Sequence, residues 1–134
     1  MPKDLVVSPR LALPNGHFAQ ATSVRTAGRM VFISGMTARN AEGGVTGIGD
    51  VSAQTRQVCQ NLQAAVEAAG GTLDDIARVD VYVRDITDFD AIHVVRREFF
   101  TGDAPASTMV EVSGFVSPDY LIEINAIAVV EDPT

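Results

Sequence analysis

The feature that most restricts this chain is an abrupt change of hydrophobic period at Gly70-Gly71. Before it, Val58, Leu62, Ala65, Val66 and Ala69 recur at the spacing of one helical face, and Gln57, Gln60, Asn61 and Glu67 mark the opposite one. The run predicts a helix over about Ser52–Ala69. The glycine pair stops it, because glycine enters the left-handed region at little cost. After the short turn "LDDI" the period becomes two. Ala77, Val79, Val81 and Val83 share one face, and Arg78, Asp80, Tyr82 and Arg84 the other. A helix running straight into a half-buried strand calls for a layered fold in which the strand's apolar face packs on helices.

The remaining segments extend this pattern. "LPNGHFAQATSVRTAGRMVFISGM" reads as two strands, His17–Arg25 and Arg29–Ser34, joined by a turn at Thr26–Gly28 into a hairpin. The glycine-rich "TARNAEGGVTGIGD" reads as a flexible connection; it lacks the lysine-bearing pattern of a phosphate loop. Thr87 is placed to cap a second helix, with Asp88 and Asp90 near its positive end. On that helix Phe89, Ile92, Arg96 and Phe99 form one stripe, so an arginine stands where an apolar residue belongs. A strand at Ser107–Ser113 and a final strand in "YLIEINAIAVV", Tyr120–Val130, complete the order β-β-α-β-α-β-β. The prediction is one domain, residues 1–134, of two-layer α+β architecture. The sheet face away from the helices has no cover within the chain, yet Ile127 and Val129 point to it, which predicts a homo-oligomer.

Composition narrows the partners. Seventeen acidic residues against ten Lys and Arg give a net charge of −7, unsuited to a nucleic-acid backbone or an anionic membrane. No apolar run approaches the ~20 residues of a membrane span, and the start lacks the apolar core of a signal peptide. A cytoplasmic address is the default expectation. Cys59 is the only cysteine, so no intrachain disulfide can form. It sits in the first helix, where a buried inert thiol is the ordinary state. His17 and His93 lack any metal-binding spacing, so no metal site is expected.

Three stretches carry a resemblance: "NGHFAQAT", "GRMVFISGM" and "PASTMVEV…LIEINAIAV". With the helix and strand between them, the chain resembles the Rid family (YjgF-type) over about residues 14–130. Those are small proteins named for deamination of reactive enamine and imine intermediates. The resemblance implies a chorismate-mutase-like α+β fold and a homotrimer with ligand clefts between subunits. It implies a small-molecule metabolite as partner and no metal or organic cofactor. Residue by residue, the chain keeps part of the family's site. Phe18 takes the place of a Tyr and lacks its hydroxyl. Ser34-Gly35 is kept. His93 matches an Asn. Ser107 replaces the Arg that clamps a substrate carboxylate, followed by Thr108. Glu123 is kept, and Asn125 replaces a second Glu.

These residues set the chemical expectation. Hydrolysis of an imine needs a held water, a proton shuttle and protonation of the leaving amine. A half-buried carboxylate can orient and partly deprotonate that water. Glu123, inside an otherwise apolar strand, is therefore either a catalytic or ligand-binding carboxylate in a cleft, or a structural hydrogen-bonder across an oligomer interface. Asn125 reads as the latter. Ser34, Ser107 and Thr108 are either donors for a carbonyl or carboxylate oxygen or ordinary strand-edge residues, Phe18 stands at a substrate-binding position without the hydroxyl, and His93 is either an acid–base group reaching the cleft or a surface or packing histidine of the second helix. A guanidinium holds a carboxylate through two charged hydrogen bonds, whereas a serine offers one neutral donor. The usual 2-imino acids are then poor substrates unless Arg25, Arg39, Arg96 or Arg97 reaches the cleft. Arg96, on the helix stripe, is the foremost of these. The leading reading is a hydrolase or deaminase of an enamine, imine or related carbonyl metabolite. The alternative is a non-catalytic trimer that binds a small ligand. A chaperone-like surface rests on oligomer hydrophobicity alone, and ribonuclease action is disfavoured by the acidity and the lack of a paired His/Lys site.

Overall fold

A computed structural model describes residues 3–25 and 27–133. The first helix, α1 (Val51–Ala68), lies within a residue of its predicted span. Asp50 caps it by accepting from the Ala53 amide at 3.1 Å, and Gly70 at φ +91° reverses the chain after it. The long strands are β3 (Arg29–Met36), β4 (Ile76–Val83), β5 (Ala106–Glu111) and β6 (Ile122–Val130). Short strands β1 (Asp4–Val6) and β2 (Ala21–Ser23) precede them, and α2 (Phe89–Phe99) lies between β4 and β5.

The main sheet has the order β3-β6-β4-β5. β6 is antiparallel to both of its neighbours, and β4 and β5 are parallel, joined through α2. Helix α1 packs against α2, β3 and β6. Between the layers lie Val58, Leu62 and Val66 of α1, Ile92 of α2, Val79, Val81 and Val83 of β4, and Ile122, Ile124 and Ala126 of β6. The predicted two-layer α+β class is correct, and the chain has one more strand than the sequence pattern indicated.

Three local expectations change. The first two strands do not pair as a hairpin: β2 pairs with β1, a strand not foreseen, and β3 pairs with β6. Of the predicted turn, Thr26 lies outside the described residues. Gly28, at φ +104°, passes so close to the Val130 carbonyl that a Cβ would stand 2.5 Å from it. That approach sets β3 alongside the nine-residue β6, which offers more ladder bonds than the short β2. Second, Thr87 is not the helix cap. Asp85 accepts from the Thr87 amide (2.9 Å) and hydroxyl (2.6 Å), capping a 3₁₀ turn at Ile86–Asp88 that leads into α2. A carboxylate two residues upstream thus captures the threonine. Third, the glycine-rich segment carries hydrogen bonds of its own. The Asn40 side chain accepts from the Glu42 and Gly44 amides, and the Thr46 amide donates to Ala38 O.

Gln54 of α1 is fully buried and ties this segment to a second loop. Its amide nitrogen donates to Gly47 O and Asp119 O, and its oxygen accepts from the Leu121 amide.

The sheet face away from the helices is partly apolar. Phe32 is 72% exposed and Met30 also lies open, with Phe32 directly opposite the half-buried Ile127. Val129, expected to be open, is buried at 8%.

Candidate functional site

The candidate residues divide between the two sides of the sheet. On the helix side, at the β5 edge, Phe18, Phe89, His93, Arg96, Ser107 and Met109 line a cavity of about 200 Å³, with Asn15 at its rim. Position 107 reaches it because β5 pairs in parallel with β4 so that Ser107 sits opposite Val79, a residue of the covered face. His93 and Arg96 reach it because they lie one turn apart on the buried side of α2. The loop before β2 closes the wall. A Cβ on Gly16 would stand 2.7 Å from His93 Nε2 and 2.9 Å from Phe89 Cζ, so glycine lets the backbone come this close. The Ala19 amide donates to Pro105 O at 3.0 Å and pins that loop beside β5.

The polar groups are unusual in their surroundings. Arg96 is 1% exposed. Its Nη1 donates to Ser107 Oγ at 3.3 Å, while Nε and Nη2 are buried with no hydrogen-bond partner among the described residues. Burial pulls the guanidinium down to about 10, the neighbouring Cys59 opposing the shift. His93 Nδ1–H donates to the Phe89 carbonyl at 2.9 Å, and its ring stacks on Phe89 with centroids 4.0 Å apart. A carbonyl can only accept, so the neutral ring carries its lone pair at Nε2. That atom is likewise buried without a partner among the described residues. Burial holds His93 below the usual imidazole range, with Arg96, Arg97 and His17 adding to the effect and the Phe89 carbonyl opposing it. At neutral pH the cavity therefore holds a charged donor and a neutral acceptor.

On the open side, Glu123 and Asn125 line a second cavity of about 340 Å³ with Tyr82, Phe115 and Val116. Glu123 stands opposite Tyr82 in the β4–β6 register. Its carboxylate lies against Gly35, where any Cβ would overlap it. The register of β3 shifts between Ile33 and Met36, at this contact. Asn125 donates to Asp80 Oδ2 at 3.2 Å. Arg78 completes that cluster, donating to Asp80 Oδ1 and Thr108 Oγ1, both at 2.8 Å.

Phe18, His93, Arg96 and Ser107 thus come together. Glu123 is apart from them across the sheet. Thr108 faces the open side with its hydroxyl engaged by Arg78, and Ser34 is exposed on β3 outside both cavities. Of the four arginines singled out, Arg25, Arg39 and Arg97 are exposed and only Arg96 lines the first cavity. Phe89 and Met109 were not foreseen as lining residues. Phe89 did show in the sequence, as the first member of the stripe that includes Arg96. Among the described residues no cluster of His, Cys, Asp and Glu has metal-binding geometry, and no helix is long and apolar enough to cross a membrane.

The family model described as Endoribonuclease L-PSP matches residues 10–130. A RutC family protein of Pyrococcus abyssi is 36% identical over 128 residues, covering 96% of this chain and 98% of that protein. The crystal structure of YyfB, a protein of the conserved Rid family from Yersinia pestis, superposes with a TM-score of 0.86 at 32% identity, covering 97% of this chain and all of that one. A putative endoribonuclease from Thermotoga maritima matches with a TM-score of 0.72 at 30% identity, covering 96% and 98%.

Proposed function

Because the chain belongs to the Rid/YjgF family, a family of small-molecule deaminase or endoribonuclease-like role, we propose that it hydrolyses a small enamine, imine or related carbonyl compound in a cleft between copies of itself. One observation carries this reading: Phe18, His93, Arg96 and Ser107 converge on one small cavity with unpaired polar atoms. Its volume is below the ~300 Å³ at which drug-sized ligand pockets begin, and it favours a metabolite of few atoms over a nucleotide. The net charge of −7 also favours a small molecule over RNA.

The cleft needs a second copy. Within one chain Glu123 and the His93 cavity face opposite sides of the sheet, and exposed Phe32 and Met30 lie on the Glu123 side. A closed homotrimer covers that apolar surface and brings Glu123 of one copy towards the cavity edge of another. An enamine first tautomerises to its imine. Glu123 then orients a water against the imine carbon and takes its proton. The C–N bond breaks once the nitrogen is protonated, giving a carbonyl compound and ammonia. Glu123 passes that proton to the nitrogen and relays the second from the new hydroxyl, while His93, neutral with its lone pair at Nε2, accepts from the substrate N–H and orients the nitrogen.

A second reading, a trimer that binds a small ligand without turning it over, is favoured by Phe18 and Ser107, which lack the hydroxyl and guanidinium of the family pattern. One assay separates the two. Imines are generated in situ by an amino-acid oxidase (2-iminobutanoate) and by an amine oxidase (carboxylate-free imines), and ammonia release is followed with and without the protein. We expect acceleration, reduced at least a hundredfold in Glu123→Gln. No acceleration of either class, with ligand binding intact, selects the binding module.

A further inference from the structure

We infer that Arg96 is a carboxylate-binding residue, entering the cavity from α2, and that the compound taken there is a small carboxylate held side-on by its Nε–Nη2 edge. The inference deepens the reading above, on which it rests for the chemistry of the cleft, while the binding itself is tested separately. Of the two alternatives that Ser107 leaves, a substrate without a carboxylate or another arginine in the cleft, it selects the second.

A guanidinium offers two faces to an oxyanion, and the side edge formed by Nε–H and Nη2–H matches a carboxylate with two parallel hydrogen bonds. In Arg96 the Nη1 corner is used by Ser107, and the two atoms left without a partner are Nε and Nη2, that same edge. Arg96 is 1% exposed, and none of the ion pairs among the described residues involves it. A buried charge with no counter-charge is costly to a fold, whereas the same charge facing a ligand anion is compensated on binding. An ordinary structural arginine would reach solvent or an acid. Arg29, Arg56 and Arg78 do so, each bonded to an Asp or Glu with a half-exposed side chain.

The rest of the cavity defines the ligand. Phe18, Phe89 and Met109 supply apolar walls for a short carbon body. His93 Nε2 presents an acceptor to a donor group on it. Ser107, one residue inside the parallel β4–β5 pair, steadies Nη1 and so fixes the plane of the guanidinium. In this arrangement serine at 107 leaves room for the helix-borne cation, which a larger side chain there would fill.

The test is binding, not turnover. Acetate, isobutyrate and benzoate are titrated into the protein against acetamide, isobutyramide and benzamide, by calorimetry and by the ¹⁵N–¹H resonance of Arg96 Nε. We expect at least one acid to bind at least tenfold tighter than its amide, to shift the Arg96 Nε–H signal, and to lose at least tenfold affinity in Arg96→Gln. Ser107→Ala, which removes a neutral donor only, should weaken binding severalfold and serves if Arg96→Gln does not fold. Acids and amides binding equally, an unmoved Arg96 signal at saturation, or no binding by any acid would overturn the inference. So would unchanged affinity in Arg96→Gln with loss of assembly, which would mean that a partner subunit's acid holds the guanidinium. Carboxylate binding without imine hydrolysis would leave this site standing and remove the proposed reaction. Hydrolysis of carboxylate-free imines alone would do the reverse.

Discussion

Arg78 and Arg96 lie on opposite sides of the sheet, and only one has a carboxylate. Arg78, on the open face with its side chain 43% exposed, bonds Asp80 and Thr108, and Asp80 in turn accepts from Asn125. Each residue of that cluster has a partner, so it reads as a structural patch across β5, β4 and β6. Arg96, under α2, has one serine. The contrast teaches that an arginine's neighbours, rather than its burial or its place in a motif, separate the structural from the ligand-facing. The open face bears the charges that water and neighbours satisfy, and the covered face bears the one that they do not.

The largest effect that can break this contrast is on the layers themselves. Leu62→Ala, between the helices and the sheet, should cost ~2–5 kcal/mol in denaturant unfolding. Phe32→Asp, on the open face, should leave the chain folded and abolish the proposed assembly in sedimentation velocity; an oligomer that survives it would remove the open face as the seam. Next come the arginines. Arg78→Met should cost no more than ~1 kcal/mol, as for an exposed pair. Arg96→Met should be neutral or stabilising by about that amount, because it removes an unpaired buried charge. A loss of ~3–5 kcal/mol in Arg96→Met would make Arg96 structural and erase the distinction.

A pH titration sharpens the same comparison. Burial depresses His93 in the folded state below its unfolded value near 6.5. The unfolded chain therefore binds the extra proton first, and stability falls as the pH drops below about 6.5, levelling off beneath the folded value. His93→Gln should flatten that part of the curve. The smallest effect concerns Cys59, whose thiol burial pushes up to about 12. Burial thus keeps the thiol protonated at pH 8 and out of contact with solvent, so iodoacetamide should leave the native protein unlabelled and modify it only in denaturant.

Much of the fold was legible because period and punctuation agree along the chain. The α1 stripe with its glycine stop, the alternation in β4 and the apolar β6 each specify one element, and the structure keeps all three. The misreadings occurred where partners are distant in sequence. β3 lies next to β2 in the chain, and only the pull of β6, some ninety residues on, decides that they do not pair. The Thr87 cap failed because Asp85, two residues earlier, accepts from the Thr87 amide and hydroxyl and caps a 3₁₀ turn in its place. At the site, the break in the α2 stripe exposed Arg96 as an oddity, yet that its Nε and Nη2 go unpaired depends on side-chain directions that no pattern holds. The bond from Asn125 to Asp80 was out of reach for a similar reason, since Asp80 sits in another strand, directly opposite in register.

Gln54 gives one further consequence. A single side chain, sealed inside the protein, clasps Gly47 on one side and Asp119 and Leu121 on the other. The glycine segment and the stretch leading into β6, which carries Glu123, are therefore fastened to one rivet. Whatever loosens either end loses hydrogen bonds at both, so the two should breathe in concert, and amide exchange there should quicken as a pair in Gln54→Leu.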